Sequence, residues 1–203
     1  LVEPIKLTSN LTQMHKNLWF PLSNVGLDET MFSYRGGDND YHQFIPRKPH
    51  PNGTKTWGLC DASEYFYHME LATDAESTMT TTLRVASTLP SRAGAVSSQF
   101  TVFADKLFGS LKTAELLKSR GIDSVLACRT DRPTWLWQPL TCEVKNAPLG
   151  RYFARRLFAL DLTQAVPSHT LAVTALAQKR STAKGRDCYY LSTVHSPHTP
   201  HKG

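Results

Sequence analysis

The sequence has few of the features that mark membrane, secreted or zinc-knuckle proteins. No stretch approaches the roughly 18 consecutive apolar residues that a membrane-spanning helix needs, and the first residues lack the pattern of a signal peptide. The four cysteines have no short paired spacing, which indicates neither a zinc knuckle nor a disulfide framework. We therefore expect an intracellular, reduced protein without a membrane partner. Because the chain starts at Leu1 and not at Met, we also expect its original N-terminus to lie upstream.

Composition predicts one folding unit with a sizeable core. The chain has 203 residues, of which 40% are hydrophobic and 20% charged, and it contains no internal repeat. Its formal net charge is +6 and its pI is about 9.2. A basic balance favours a polyanionic partner such as nucleic acid, because cationic side chains release the counterions of phosphates. On charge alone, an inert basic surface is an equal alternative.

The first half of the chain predicts several short strands. Residues 24–34 are β-prone, carry Asp28 and end at a glycine-rich turn. Three prolines break residues 44–53 into an extended loop, since proline fixes φ and biases the residue before it away from helix. Two further strands, 55–60 and 65–71, form a predicted hairpin.

The second half predicts an α/β core. A strand at 98–104 is followed by Asp105, by a helix at 107–120 with apolar residues at helical spacing, and by another strand at 124–128. Residues past 132 are irregular, with interleaved aromatic and basic side chains, before late strands at 170–177 and 187–194. We predict a lead-in segment at 1–22, a core at 23–132, an insertion subdomain at 133–184, and a last core strand with a polar tail at 185–203. These four parts would form one folding unit.

Several of these segments resemble the transposase domain of piggyBac elements and of proteins derived from them. The most specific is an aromatic-x-Pro-basic-Lys-Pro run that leads into a Gly-x-Lys strand. The matching segments are Leu27-Asp28-Glu29-Thr30-Met31 with Tyr34-Arg35-Gly36, Phe44-Ile45-Pro46-Arg47-Lys48-Pro49-His50 with Gly53, Lys55 and Trp57, Phe103 to Leu111 around Asp105, Arg129 with Arg132, and Tyr189 to Thr193.

The resemblance implies a ribonuclease-H-like mixed sheet flanked by helices, with an inserted subdomain before the last strand. In such enzymes three carboxylates surround two Mg²⁺ ions, and the matching positions are Asp28, Asp105 and His195. The third position departs from the family, since His195 supplies a nitrogen where a charged oxygen is expected. Nitrogen suits Zn²⁺ or Mn²⁺ better than Mg²⁺. We therefore expect a degenerate site with weakened Mg²⁺ binding and impaired catalysis.

Each candidate residue also has a plain structural interpretation. An aspartate just before a helix is often an N-cap, which applies to Asp105. His195 belongs to a histidine-rich tail that favours solvent over a metal cluster. The candidate DNA-binding residues are Arg47, Lys48, Lys55, Lys106, Arg129 and Arg132. Lys106 stands where the family usually has asparagine, and the proline-rich run that carries Arg47 and Lys48 is equally a rigid turn packed on the sheet. The aromatic and basic insert favours a small core over base stacking.

Three functional hypotheses follow. The first is a transposase-derived domain that associates with DNA without efficient cleavage, and the second is an active metal-dependent transposase or nuclease core. The third is a translated relic. The resemblance implies a nuclear or otherwise intracellular location, DNA and not a small molecule as partner, and a homodimer in the full-length protein. It also implies that the family's N-terminal DNA-binding region and C-terminal cysteine-rich module are missing from this sequence.

Overall fold

A computed structural model describes residues 3–34, 36, 41–46, 48–72, 76–90, 99–130, 134–158, 172–179 and 187–194. The chain divides into two compact units, Leu1–Val96 and Ser97–Gly203. The first unit contains α1 (Glu3–Leu18), β1 (Asn24–Ser33), β2 (His42–Phe44), β3 (Asn52–Asp61), β4 (Phe66–Leu71) and α2 (Thr78–Ala86). The second contains β5 (Thr101–Ala104), α3 (Leu111–Ser119), β6 (Asp123–Ala127), α4 (Thr134–Lys145), β7 (Tyr152–Phe158), β8 (Ala172–Gln178) and β9 (Cys188–Ser192).

Strand β3 organises the first unit, because β1, β2 and β4 all pair with it in antiparallel fashion. The β1–β3 ladder runs without a shift from Val25 opposite Asp61 to Ser33 opposite Gly53. Val25 and Leu27 of β1 and Leu59 of β3 are buried on one face. Side chains alternate along a strand, so the residues between them point to the other face.

Helix α1 contacts β4, and one buried carboxylate ties the chain after α1 to the β3–β4 hairpin. Asp61 Oδ2 accepts hydrogen bonds from Trp19 Nε1 at 2.7 Å and from the Leu22 backbone N–H at 3.1 Å. Asp61 Oδ1 accepts from the backbone N–H and the hydroxyl of Ser63. Burial raises the pKa of Asp61, but these hydrogen bonds outweigh it and hold the pKa well below its usual range.

In the second unit five sheet strands are hydrogen-bonded in the order β5-β6-β9-β8-β7. Strands β5 and β6 are parallel and connected through α3, whereas the other neighbours are antiparallel. One buried apolar cluster holds α3 and α4 on this sheet. Its members are Ala114, Leu126, Trp137, Leu140, Val144, Val173, Ala175, Ala177 and Leu191.

The mixed α/β class predicted from the sequence is confirmed, with nine strands and four helices among the described residues. Helix α3 starts at Leu111 and not at residue 107, because residues 106–108 form a turn and Ser110 caps the helix. Strand β7 and helix α4 occupy the segment predicted to be an irregular insertion, and β8 pairs with β9. The predicted domain boundaries stay a prediction. No helix in the described ranges is long and apolar enough to cross a membrane.

Candidate metal and DNA site

Asp28 lies in the middle of β1 and points away from the buried face of the first unit. It is exposed, and its neighbour across the ladder is Gly58, which has no side chain to cover the carboxylate. Asp28 Oδ1 accepts a hydrogen bond from the backbone N–H of Glu29 at 2.7 Å. The described part of the chain offers Oδ2 no hydrogen-bond partner. One oxygen of Asp28 is therefore fixed and the other is available to a cation.

Glu29 points to the opposite face, as strand alternation predicts, and pairs with two lysines. Lys48 Nζ lies 2.9 Å from one carboxylate oxygen and Lys55 Nζ lies 3.0 Å from the other. Burial raises the pKa of Glu29, but the hydrogen bonds and charges of the two lysines outweigh it, so the pKa is lowered. Lys55 Nζ also lies 4.1 Å from the centre of the Trp57 ring. Lys48 and Lys55, two of the predicted DNA-binding residues, thus have partners within the protein.

Asp105 immediately follows β5 and is exposed in a turn. Its Oδ1 accepts a hydrogen bond from the backbone N–H of Leu107 at 2.7 Å, and its carbonyl accepts one from Phe108. Ser110 caps α3 by accepting from the Thr113 backbone N–H, so the capping role considered for Asp105 belongs to Ser110. Asp105 Oδ2, like Asp28 Oδ2, has no partner in the described ranges.

Asp105, Lys106 and Arg129 lie at the same edge of the second unit's sheet. Since β5 and β6 are parallel with Ala104 opposite Leu126, the residues after both strands leave at their carboxyl ends. Gly109 allows the turn to pack there, because a Cβ at this position would lie 1.8 Å from the carbonyl oxygen of Ala127. Lys106 and Arg129 are exposed, and neither has an ion-pair partner within the described ranges. An exposed carboxylate and two exposed cationic side chains thus share this edge.

Strand β9 leads towards the predicted third position but ends at the other edge. Because β9 is antiparallel to β6, Thr193 lies beside Ser124 at the start of β6. The backbone N–H of Thr193 donates to the Ser124 carbonyl at 3.0 Å, and its hydroxyl donates to Asp123 Oδ1 at 2.8 Å. His195 itself lies outside the described residues, as do Arg47 and Arg132. Strand β9 therefore ends at the edge of the sheet opposite to the edge that carries Asp105.

Asp187 precedes β9 at the carboxyl-terminal edge of β6, since the backbone N–H of Cys128 donates to the carbonyl of Tyr189. Eight residues separate Asp187 from His195 in the sequence, and at strand spacing that separation argues against Asp187 as a substitute for the third carboxylate. The antiparallel register instead puts Asp187 on the edge that carries Asp105. One of its oxygens lies 3.6 Å from Lys179 Nζ.

Comparison with known proteins shows which family the chain belongs to. A family model described as transposase IS4 matches residues 3–176. The chain belongs to this transposase family. No curated protein matches the chain. The cryo-EM structure of a piggyBac transposase synaptic complex with hairpin DNA is similar to it, with a TM-score of 0.69 and 17% sequence identity. That match covers 98% of this chain and 39% of the other, so the likeness shows the fold and this chain spans well under half of that transposase.

Transposases of the DDE class depend in general on divalent metal, and the carboxylates described above fit such an ion in type. Hard divalent cations prefer oxygen ligands, and Asp28 and Asp105 each present a carboxylate oxygen that has no hydrogen-bond partner among the described residues. Across the ranges that the structure describes, no three His, Cys, Asp or Glu side chains come together as a ligand set. Each unit of the transposase domain thus presents a carboxylate that is suited to a divalent metal. The described residues contain no complete set of metal ligands.

Proposed function

We propose that the chain is a transposase-derived domain that associates with DNA and retains part of a DDE metal site, with impaired catalysis. The observation that carries this proposal is the group at the carboxyl edge of β5 and β6. There the exposed carboxylate of Asp105 shares the edge with Lys106 and Arg129, both without ion-pair partners in the described ranges. Cations at an exposed edge attract phosphates, and a carboxylate among them is suited to hold a phosphate-bound metal.

In this proposal Asp28 and Asp105 are the two metal-binding carboxylates. Magnesium in such sites activates a nucleophile and stabilises the leaving oxygen of a phosphodiester. A backbone N–H fixes one oxygen of each aspartate, which restricts rotation of the carboxylate and keeps the second oxygen exposed. His195 remains the proposed third position. A neutral imidazole there would offset less positive charge than a carboxylate, which is the physical reason to expect weak Mg²⁺ binding.

Calorimetric titration of Mg²⁺ and Mn²⁺ into the whole chain tests the metal site. We expect binding that is weaker for Mg²⁺ than for Mn²⁺ and that is lost in Asp28→Asn and in Asp105→Asn. Glu64→Gln is the matched control, since Glu64 is also an exposed carboxylate. Equal Mn²⁺ binding by the wild type and both aspartate variants would exclude these residues as ligands.

A nicking assay separates the impaired domain from the alternative, an active transposase or nuclease core. Supercoiled DNA is incubated with the chain in Mg²⁺ and in Mn²⁺. We expect the wild-type chain to nick DNA little more, or no more, than the Asp28→Asn and Asp105→Asn variants do. Robust nicking that both variants abolish would instead establish the active enzyme.

The proposed partner is DNA, supported by the likeness to a transposase solved with hairpin DNA. A nuclear location and a homodimer of the full-length protein are proposed on family membership alone. Gel shift with duplex DNA at low and moderate salt tests the partner. Absence of binding at low salt would contradict it.

A further inference from the structure

The face of β1 that carries Asp28 also carries a group of exposed aromatic rings. Residues directly opposite in paired strands point to the same side of a sheet. Phe32 and His42 both lie opposite Thr54, while Phe44 lies opposite Asn52 and Tyr34 donates its backbone N–H to the Asn52 carbonyl. Asp28, Phe32 and Tyr34 are separated by even numbers of residues, so they share this side. We call Phe32, Tyr34, His42 and Phe44 the aromatic face.

Three of the four rings of the aromatic face are exposed to solvent. Phe44 is 64% exposed, Phe32 is 48% exposed and Tyr34 is 37% exposed. Exposed aromatic side chains that cluster on one surface commonly mark a binding site. Phe66, which is 38% exposed, adds a further aromatic ring near Asp28 on the same face, because its ring lies over Gly58, the residue opposite Asp28.

A cavity of about 460 Å³ opens at the end of this face. Its lining includes Tyr34, His42, His50, Asn52 and Ser33. The Tyr34 and His42 rings are 6.2 Å apart at an interplanar angle of 56°, so they form a tilted wall. Imidazole, amide and hydroxyl groups beside ring faces offer hydrogen bonds to an edge and stacking to a plane.

We propose that the aromatic face and its cavity bind unpaired DNA bases, beside the strand that carries Asp28. This rests on the proposed function and deepens it by naming the part of the DNA that is contacted. Stacking on aromatic side chains is the common way to hold single-stranded nucleic acid, and it tolerates any sequence because every base has a π-face. The mixed lining favours a base over an apolar protein segment, since the imidazole and amide groups match its polar edge.

The spacing of residues along β1 sets how far these bases lie from Asp28. At roughly 3.3 Å per residue, Phe32 is about 13 Å and Tyr34 about 20 Å along β1 from Asp28. Phe32 and His42 form one pair of rings across the sheet, and Tyr34 and Phe44 form a second pair two residues further along the strands. The two pairs are therefore roughly 7 Å apart, about twice the 3.4 Å rise per nucleotide of a B-form strand. A stretched, unpaired strand therefore fits the spacing of the rings. In a duplex the bases already stack on one another, which leaves no ring-sized gap for these side chains.

Fluorescence anisotropy with the whole chain tests this proposal, using a labelled single strand of mixed sequence and a blunt duplex of the same sequence. We expect Tyr34→Ala and Phe44→Ala to weaken single-strand binding by roughly 5- to 150-fold each, and duplex binding by less than about twofold. Phe44→Trp keeps an aromatic plane and should bind within about twofold of the wild type. Leu149→Ala is the matched control, because Leu149 is 65% exposed in the other unit.

Salt dependence separates stacking from charge. Loss of a ring should lower affinity at every salt concentration without changing the slope of log affinity against log salt. Circular dichroism and thermal melting verify folding, and Phe44→Leu provides a second variant that keeps an apolar side chain while removing the ring. We expect Phe44→Leu to bind as weakly as Phe44→Ala.

Wild-type affinity for the single strand in both Tyr34→Ala and Phe44→Ala would overturn the proposal. Equal losses on single strand and duplex would overturn it as well, since they would indicate a general DNA contact. We expect Asp28→Asn to lose metal binding and to keep ring-dependent binding of the single strand. If the wild-type chain binds neither Mg²⁺ nor Mn²⁺ while its ring-dependent single-strand binding persists, the proposed metal site fails and the base-binding site stands.

Discussion

At the scale of single residues, Asp61 is the carboxylate on which the first unit most depends. It is 5% exposed and accepts hydrogen bonds from Trp19, Leu22 and Ser63. In Asp61→Asn one acceptor oxygen becomes an amide donor that faces N–H or O–H donors. We expect the free energy of unfolding to fall by about 3 kcal/mol, because buried donors lose a charged acceptor. Urea denaturation measures this loss.

The control for Asp61 is Glu64→Gln in the same hairpin turn, where the carboxylate is exposed. We expect a change within about 0.5 kcal/mol for that variant. If the two variants lose similar stability, the hydrogen bonds to Asp61 are not what ties the chain after α1 to the hairpin.

The pH dependence of stability follows from the lowered pKa of Asp61. Burial alone would raise the pKa, but hydrogen bonds from Ser63, Trp19 and Leu22 lower it below that of an unfolded aspartate. The contribution of Asp61 is therefore fully present above about pH 4 and is lost as the pH falls further. We expect the stability difference between the wild type and Asp61→Asn to shrink steadily below that pH. A difference that stayed constant from neutral to strongly acidic pH would contradict the assignment.

At the scale of secondary structure elements, Ser110 determines where α3 begins and so how the turn that holds Asp105 ends. Its hydroxyl oxygen accepts from the Thr113 backbone N–H at 3.0 Å. We expect Ser110→Ala to lower the free energy of unfolding by about 1 kcal/mol and Ser110→Asp to retain it, because aspartate is an equally good N-cap. Ser119→Ala, at the exposed end of the same helix, is the comparison. Thermal or chemical unfolding measures all three, and equal losses at Ser110 and Ser119 would exclude the cap.

The strands that carry or precede Asp28 and Asp105 were predictable from local pattern. Asp28 follows Val25 and Leu27 in a strand whose alternation fixes its outward direction, and Asp105 comes between a strand and a helix. The pairing of Glu29 with Lys48 and Lys55 was not predictable, because it requires the loop after β2 to return to β1. Local sequence does not specify that closure.

Three elements escaped prediction for identifiable reasons. Helix α4 contains Pro139, which argues against helix, although Trp137, Leu140 and Val144 recur at helical spacing and are buried. Strand β2 has three residues and stands beside a proline-rich run. Strand β7 carries an Arg-Arg pair, and its pairing with β8 is a long-range contact. In these three segments tertiary packing, and not local sequence propensity, determined the secondary structure.

At the scale of the whole molecule, positive charge is unevenly divided. Residues 97–203 hold 15 of the 23 lysines and arginines but 7 of the 17 acidic residues. The first unit therefore has more acidic than basic side chains, and the second carries the excess positive charge. Phosphate contacts should come mainly from the second unit if DNA binding is electrostatic.

Two double variants that remove the same formal charge test this division. Lys106→Gln with Arg129→Gln removes two exposed cations that have no ion-pair partners in the described ranges, whereas Lys48→Gln with Lys55→Gln removes two that pair with Glu29. For duplex DNA we expect the first pair to reduce the slope of log affinity against log salt by roughly 1.8, or about 0.9 for each phosphate that the protein no longer neutralises. The second pair should reduce it by less than half as much, because its charges are already offset.

Because both double variants change the net charge equally, a difference between them cannot arise from the overall field of the molecule. Titrations at four or more salt concentrations give the slopes, and thermal melting verifies that loss of the Glu29 pairs leaves the chain folded. Equal reductions would mean that DNA displaces Glu29 from Lys48 and Lys55, so that the first unit also contacts phosphate. No reduction in the first pair would remove Lys106 and Arg129 from the interface and leave the carboxyl edge of β5 and β6 without a role in DNA binding.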